Sequence, residues 1–209
     1  MNNNKRFWNI ISPLYNRFMR NNRVVYSKVA DCITERLNSE MKVLELGCGT
    51  GEFTELLASK TKEWIATDFS KQMVDNTSKR LNEDKIRYKV EDATALTFDD
   101  NSFDAVMIAN TLHIMPNPYA AMKEIHRVLK NDGLLLAPTF VFDKRATKIR
   151  VKLLELIGFK VYSKWDEQEL CEFIENNHFI AIHQSTVAAT PLSESIIIAR
   201  CKKENIMTL

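Results

Sequence analysis

The chain is poor in turn-forming residues: only 5 glycines and 5 prolines occur in 209 positions. Few places can therefore bend sharply or break a helix or strand. There is no internal repeat and no low-complexity tract beyond the Asn run at 2–4. The 4 cysteines (Cys32, Cys48, Cys171, Cys201) lie far apart and form no CxxC or Cys/His cluster. That pattern argues against a disulfide framework and suits a reducing, cytoplasmic setting. His126, His178 and His183 lack ligand spacing, so no metal is expected. The longest apolar stretch, around Leu134 to Phe142, is too short to span a bilayer. The basic N-terminus is interrupted by Asn9, Ser12, Pro13, Asn16 and Arg17, which makes a poor signal-peptide core. A net charge of +2 provides no global field that would call for a nucleic-acid partner.

What is present is ordinary for a globular protein, with 45% apolar and 27% charged residues and enough length for one domain with a proper core. Charge is locally uneven. Met1 to Ala30 carries 6 basic residues and no acid, and Lys144 to Lys164 carries 7 basic residues against Glu155 alone. Short apolar runs alternate with helical patterns: strands are expected at Lys42 to Leu46, Glu63 to Thr67, Ile86 to Glu91, Asp104 to Ala109 and Leu134 to Phe140. Ser70 can cap a helix bearing Met73, Val74, Thr77 and Leu81, and Pro118 suits the first turn of another. Asn131-Asp132-Gly133 reads as the turn into the fifth strand. The alternation predicts an α/β fold with a mostly parallel sheet, helices on both faces and a closing strand pair at Ile180 to Gln184 and Ser195 to Arg200. A basic helix is expected from Lys144 to Ile157. Ser163-Lys-Trp-Asp166 has capping-box form and predicts a further helix to about Asn176. Val25, Val29, Cys32, Ile33 and Leu37 mark an amphipathic helix ahead of the first strand.

The most informative residues are Val43-Leu-Glu-Leu-Gly-Cys-Gly-Thr-Gly51, an apolar strand running into 3 of the chain's 5 glycines and then a helix. Glycine at alternate positions allows a tight turn and lets a ligand lie against bare main chain. A plain structural turn is the competing explanation, and the concentration of glycine here disfavours it. The dinucleotide fingerprint is GxGxxG, whose helix start cradles a pyrophosphate. Here the spacing is GxGxG and Glu45 precedes it, a carboxylate that would repel pyrophosphate and suit a cation. Asp68 ends the second strand, where an acid can hold both hydroxyls of a ribose diol. It could instead cap the next helix, a role for which Ser70 competes.

Glu45-Leu-Gly-Cys-Gly-Thr-Gly51, Asp68-Phe-Ser-Lys-Gln-Met73, Glu91-Asp92-Ala93 and Phe103-Asp104-Ala105-Val106, in that order, resemble the successive motifs of class I S-adenosylmethionine-dependent methyltransferases. They are most similar to the group that includes the ubiquinone/menaquinone-biosynthesis C-methyltransferases. The resemblance implies a Rossmann-like doubly wound, mostly parallel seven-stranded sheet with an antiparallel closing strand. It implies one domain over 1–209, with an N-terminal lid and helix (1–40), a cofactor-binding core (41–142) and acceptor-side helices and closing strands (143–209). S-adenosyl-L-methionine would be the cofactor and S-adenosyl-L-homocysteine its product. Gly47, Cys48, Gly49 and Gly51 would pass beneath the methionine and ribose, with Glu45 near the amino group. Asp68 would take the ribose hydroxyls, while Phe69 and Met73 pack on the adenine. A core role for Met73 is equally consistent with its helical spacing. Asp92 and the Ala93 N–H would meet the adenine edge, and the main chain at Asn110 the methionine ammonium.

Methyl transfer from a sulfonium is mainly positioning, worth roughly 7–11 kcal/mol of barrier. A base is needed only where the acceptor keeps its proton. His113, just past the fourth strand, could be that base or an acceptor contact. Phe7, Trp8, Ile10, Ile11, Leu14, Tyr15, Phe18 and Met19 have helical apolar spacing among basic residues. By resemblance this segment folds over the cofactor with Tyr15 at the methionine end, although Asn16 stands where the family often has Asp. It could instead lie on a membrane surface beside a lipid or quinone acceptor, and Pro13 favours the lid. The basic stretch 144–164 could attract an anionic acceptor or be a solvated face. Asn117-Pro118-Tyr119 is better explained as a helix start than as an amino-methylating motif, and no Pro-Cys nucleophile motif occurs. The expected acceptor is therefore a small molecule. Methylation of RNA or of a membrane quinone, and an inactive cofactor-binding partner subunit, stand as alternatives.

Overall fold

The computed structural model describes residues 23–142, 160–188 and 192–203. Over these, the chain runs α1 (Arg23–Thr34), β1 (Lys42–Leu46), α2 (Glu52–Leu57), β2 (Glu63–Asp68), α3 (Lys71–Arg80) and β3 (Ile86–Val90). It continues through β4 (Phe103–Ile108), α4 (Pro118–Val128), β5 (Leu129–Val141), α5 (Glu167–Glu175), β6 (Phe179–Val187) and β7 (Ser193–Cys201). The N-terminal segment with Tyr15, the basic helix expected at 144–157 and the loop at Pro191 lie outside the described residues.

The seven strands form one sheet in the order β3-β2-β1-β4-β5-β7-β6. β1 pairs in parallel with β2 (Leu44↔Ile65) and with β4 (Leu44↔Val106), while β7 is antiparallel to both β5 and β6. The antiparallel strand is thus inserted between β5 and β6 rather than sitting at the edge. The central strands read as continuous apolar runs because helices cover both faces. On one face Leu44, Leu46, Val106, Ile108 and Leu135 pack with Met122, Ile125, Leu170 and Ile174 of α4 and α5. On the other, Val43, Ala66, Ala105, Met107 and Leu136 pack with Val29, Ile33, Phe53 and Leu57 of α1 and α2. Each fully buried Val, Leu, Ile, Phe or Met side chain among these contributes roughly 1.5–3 kcal/mol, so truncating Leu44 or Met107 would open the middle of a layer. The edge strand β3 instead exposes Arg87 and Lys89, charges that discourage further pairing.

Two local expectations are corrected. The helix after Ser163 begins three residues later: the Asp166 carboxylate accepts the Glu169 N–H at 2.9 Å, and Glu169 Oε2 accepts the Asp166 N–H at 3.0 Å. A carboxylate suits the positive helix start better than a hydroxyl. The Ser163 and Tyr162 N–H groups are meanwhile used by the His113 carbonyl, at 3.1 and 2.9 Å. Asn131-Asp132-Gly133 does not precede β5 but bulges within it. The register passes from Phe103↔Leu129 to Ala105↔Leu134, and Asp132 takes φ 59°.

Candidate functional site

In an open parallel sheet, ligands settle beyond the carboxyl ends of the strands where the strand order reverses. That point here lies between β1 and β4, and the residues singled out from the sequence after β1, β2, β3 and β4 all stand at this end.

The turn after β1 is built on left-handed backbone at Gly47 (φ 72°), Gly49 (φ 54°) and Gly51 (φ 83°). The three glycines serve different ends. A Cβ on Gly47 would lie 2.5 Å from Thr111 Oγ1, and one on Gly51 would lie 2.5 Å from Thr77 Cγ2; both are packing positions. A Cβ on Gly49 would meet nothing within 4 Å. Bare main chain at Gly49 therefore faces open space, the cradle a ligand needs.

The loop is anchored from three sides. The Gly49 N–H donates to Asp68 Oδ2 at 3.0 Å, and the Gly49 carbonyl accepts from Thr77 Oγ1 at 2.8 Å. Arg80 donates to the Thr50 carbonyl through Nη2 at 2.7 Å and to Glu55 through Nη1 at 2.6 Å. The Cys48 N–H donates to the Thr67 carbonyl at 2.8 Å, and the thiol is buried, which pushes its pKa well up. Asp68 Oδ1 also accepts the Ser70 N–H at 2.8 Å, while the helix cap itself is Ser70, whose hydroxyl accepts the Met73 N–H. Burial raises the Asp68 pKa, tempered by the Ser70 and Gly49 amides.

Glu45 is 2% exposed and lies under the loop. Its Oε2 accepts from Thr54 Oγ1 at 2.5 Å and from Trp64 Nε1 at 2.7 Å. Burial lifts its pKa to about 7 against these two bonds. It ties β1 to α2 and β2 through Oε2. Met73 is 2% exposed, within the core-facing side of α3, whereas Phe69 is exposed beside Asp68. Asp92 Oδ1 accepts from the Thr94 N–H at 2.9 Å and Thr94 Oγ1 at 2.7 Å, closing a turn that carries the half-buried Ala93.

Past β4, Asn110 takes φ 49°, its N–H donating to the Pro138 carbonyl at 2.8 Å. His113 is 1% exposed, with ring centroids 5.9 Å from Phe140 and 6.2 Å from Phe142. Burial depresses its pKa to about 3, so the imidazole is neutral across the physiological range. A neutral imidazole there can contact an acceptor, but it is a weak proton acceptor. Sequence reasoning missed Arg80, Thr111 and Glu194, and took Thr77 only for a helix-face residue. The spacing of Thr77 and Arg80 on one face of α3 was visible, but its target was not.

A doubly wound sheet with a left-handed glycine turn after β1 and an acid closing β2 gives the chain a Rossmann-like frame. Residues 44–137 match the family model of a methyltransferase domain. The chain is 33% identical over 137 residues to a demethylmenaquinone methyltransferase of Staphylococcus aureus, covering 61% of this chain and 57% of that one. It is 37% identical over 100 residues to the namesake of Clavibacter sepedonicus, covering 47% and 41%. It thus spans roughly half the length of these curated relatives. An S-adenosylmethionine-dependent methyltransferase structure from Thermotoga maritima superposes with TM-score 0.72 at 22% identity, over 94% of this chain and all of that one (100%), a likeness of fold. Residues 44–137 are thus similar to a methyltransferase domain, and the sheet around them has the fold of solved methyltransferases. No helix among the described residues is long and apolar enough to cross a membrane, and no group of 3 or more His, Cys, Asp or Glu there could hold a metal ion.

Proposed function

We propose that the chain binds S-adenosyl-L-methionine in the β1/β4 cleft and catalyses transfer of its methyl group to a small-molecule acceptor. The observation that carries this is the open space over the Gly49 main chain beside the Asp68 carboxylate, whose Oδ2 already accepts the Gly49 N–H at 3.0 Å. An acid so placed can accept from a ribose diol while the glycine backbone admits the ligand at van der Waals distance. The exposed Phe69 ring offers an apolar face for an adenine, and the Asp92–Thr94 turn presents Ala93 to its edge. Cys48 and Met73 are buried supports of the same wall.

When bound, the cofactor supplies a sulfonium-activated methyl electrophile. The residues of the chain hold, orient and exclude water, which is where positioning catalysis resides. His113, neutral between Phe140 and Phe142, lines the acceptor side rather than moving a proton. Two relatives above 30% identity are named for demethylmenaquinone, so a quinone of that type is the first acceptor to try. Tyr15 and the N-terminal segment are proposed as the cover of the cofactor.

Two measurements test this. Calorimetry should show S-adenosylhomocysteine binding that Asp68→Ala weakens at least about tenfold, or about 1.4 kcal/mol; unchanged affinity would remove the ribose assignment. Labelled cofactor offered with metabolite, quinone and tRNA pools should mark a small molecule. Label in tRNA alone would refute the acceptor class, and binding with no turnover would point to a partner subunit.

A further inference from the structure

Glu194 is a carboxyl sealed inside the sheet. It lies on β7 opposite Phe140 of β5 and is 0% exposed. Its Oε1 accepts from Asn110 Nδ2 at 2.9 Å, while Oε2 has no hydrogen-bond partner among the described residues. Burying such a group is costly, and nothing in a hydrophobic strand requires it. What it touches explains its place. Asn110 holds left-handed backbone, which Asn adopts more readily than most residues. Its side-chain Oδ1 accepts the Phe140 N–H at 2.9 Å and its own N–H reaches the Pro138 carbonyl at 2.8 Å. Asn110 therefore links the ends of β4, β5 and β7, and Glu194 decides which way its amide faces: an acceptor at Nδ2 leaves Oδ1 for Phe140.

This corner is one wall of the cleft. Thr111, the next residue, abuts the glycine loop closely enough that a Cβ on Gly47 would strike its hydroxyl. His113 follows within the same turn, which runs on through the 3-10 segment Leu112–Ile114. We propose that Glu194 is a positioning residue: through the Asn110 amide it fixes the turn after β4, and with it the wall of the cleft facing the glycine cradle. The inference rests on the cofactor assignment above and adds a residue to it from the far strand of the sheet. The requirement is for an oxygen that accepts from Asn110 Nδ2, not for side-chain bulk.

The test is S-adenosylhomocysteine binding by calorimetry with the full chain. E194M, similar in volume and without the acceptor oxygen, is expected to weaken binding about tenfold, and N110A comparably. The double variant E194M/N110A should be no worse than either single one, because both remove the same link. E194Q, which keeps an oxygen for Asn110, should bind within about threefold of wild type. Should E194M fail to fold, E194A takes its place in the same cycle. Additive losses, an E194Q defect equal to that of E194M, or unchanged binding by a folded E194M would overturn the role of Glu194 while leaving the cofactor assignment intact. A wild-type chain that bound no S-adenosylhomocysteine would remove both.

Discussion

Gly49 and Gly51 are two residues apart in one loop, yet alanine should damage them in different ways. At Gly51 the added methyl carbon would stand 2.5 Å from Thr77 Cγ2, 3.1 Å from Leu81 Cδ1 and 3.2 Å from Arg80 Nη2, on backbone at φ 83°. Left-handed backbone costs an alanine roughly 1–2 kcal/mol, and the overpacking adds roughly 1–3 kcal/mol. The sum, roughly 2–5 kcal/mol, corresponds to a Tm lowered by roughly 4–20 °C in a chain of this size. At Gly49 (φ 54°) only the backbone penalty applies, since nothing lies within 4 Å. The expected Tm loss is roughly 2–8 °C, but the methyl projects where the ligand would lie, so affinity for S-adenosylhomocysteine should fall at least about tenfold. Thermal unfolding and calorimetry on the two purified variants separate the effects. A Gly49→Ala chain that bound as wild type, or that lost more Tm than Gly51→Ala, would refute the assignment of Gly49 as the open cradle and Gly51 as a packing position.

The His113 imidazole, held near pKa 3 by burial, should show no NMR titration between about pH 5 and 8, in contrast to an ordinary histidine; a midpoint near 6.5 would restore it as a candidate base. Glu45 binds its proton more tightly folded than unfolded, its pKa rising from 4.5 to about 7. The folded state then carries the extra proton between those values, so the contribution of Glu45 to stability falls as pH rises through that window. Glu45→Gln should flatten this part of the Tm–pH curve, and an unchanged slope would count against a carboxyl so deeply buried. Trp64→Phe removes the indole donor 2.7 Å from Glu45 Oε2 and should cost about 1–3 kcal/mol in chemical denaturation.

Much of the frame was legible because its signals are local. Continuous apolar runs identified Lys42–Leu46 and Phe103–Ile108 to within a residue, and the glycine spacing at 47–51 marked the left-handed turn after β1. Ser70 and Pro118 announced the starts of α3 and α4 through capping chemistry and a missing N–H. The local signal failed where distant partners competed. Ser163 has capping form, but its N–H is taken by His113, fifty residues earlier in the chain, so Asp166 opens α5 instead. The bulge at 130–133 was equally hidden, because only the register against β4 turns a predicted loop into part of a strand.

The sequence alone determined the order of strands and helices, the glycine turn and the acids near the ends of β1, β2 and β3, because periodicity and backbone freedom belong to neighbouring residues. Only the tertiary structure decided what each of those groups does. It put Glu45 beneath the loop on Trp64, split three similar glycines into two packed and one open, and brought Glu194 from β7 to Asn110 across 84 positions of chain. Burial and hydrogen-bond partnership are set by which strands become neighbours in the sheet, and that adjacency is written in no local stretch of residues.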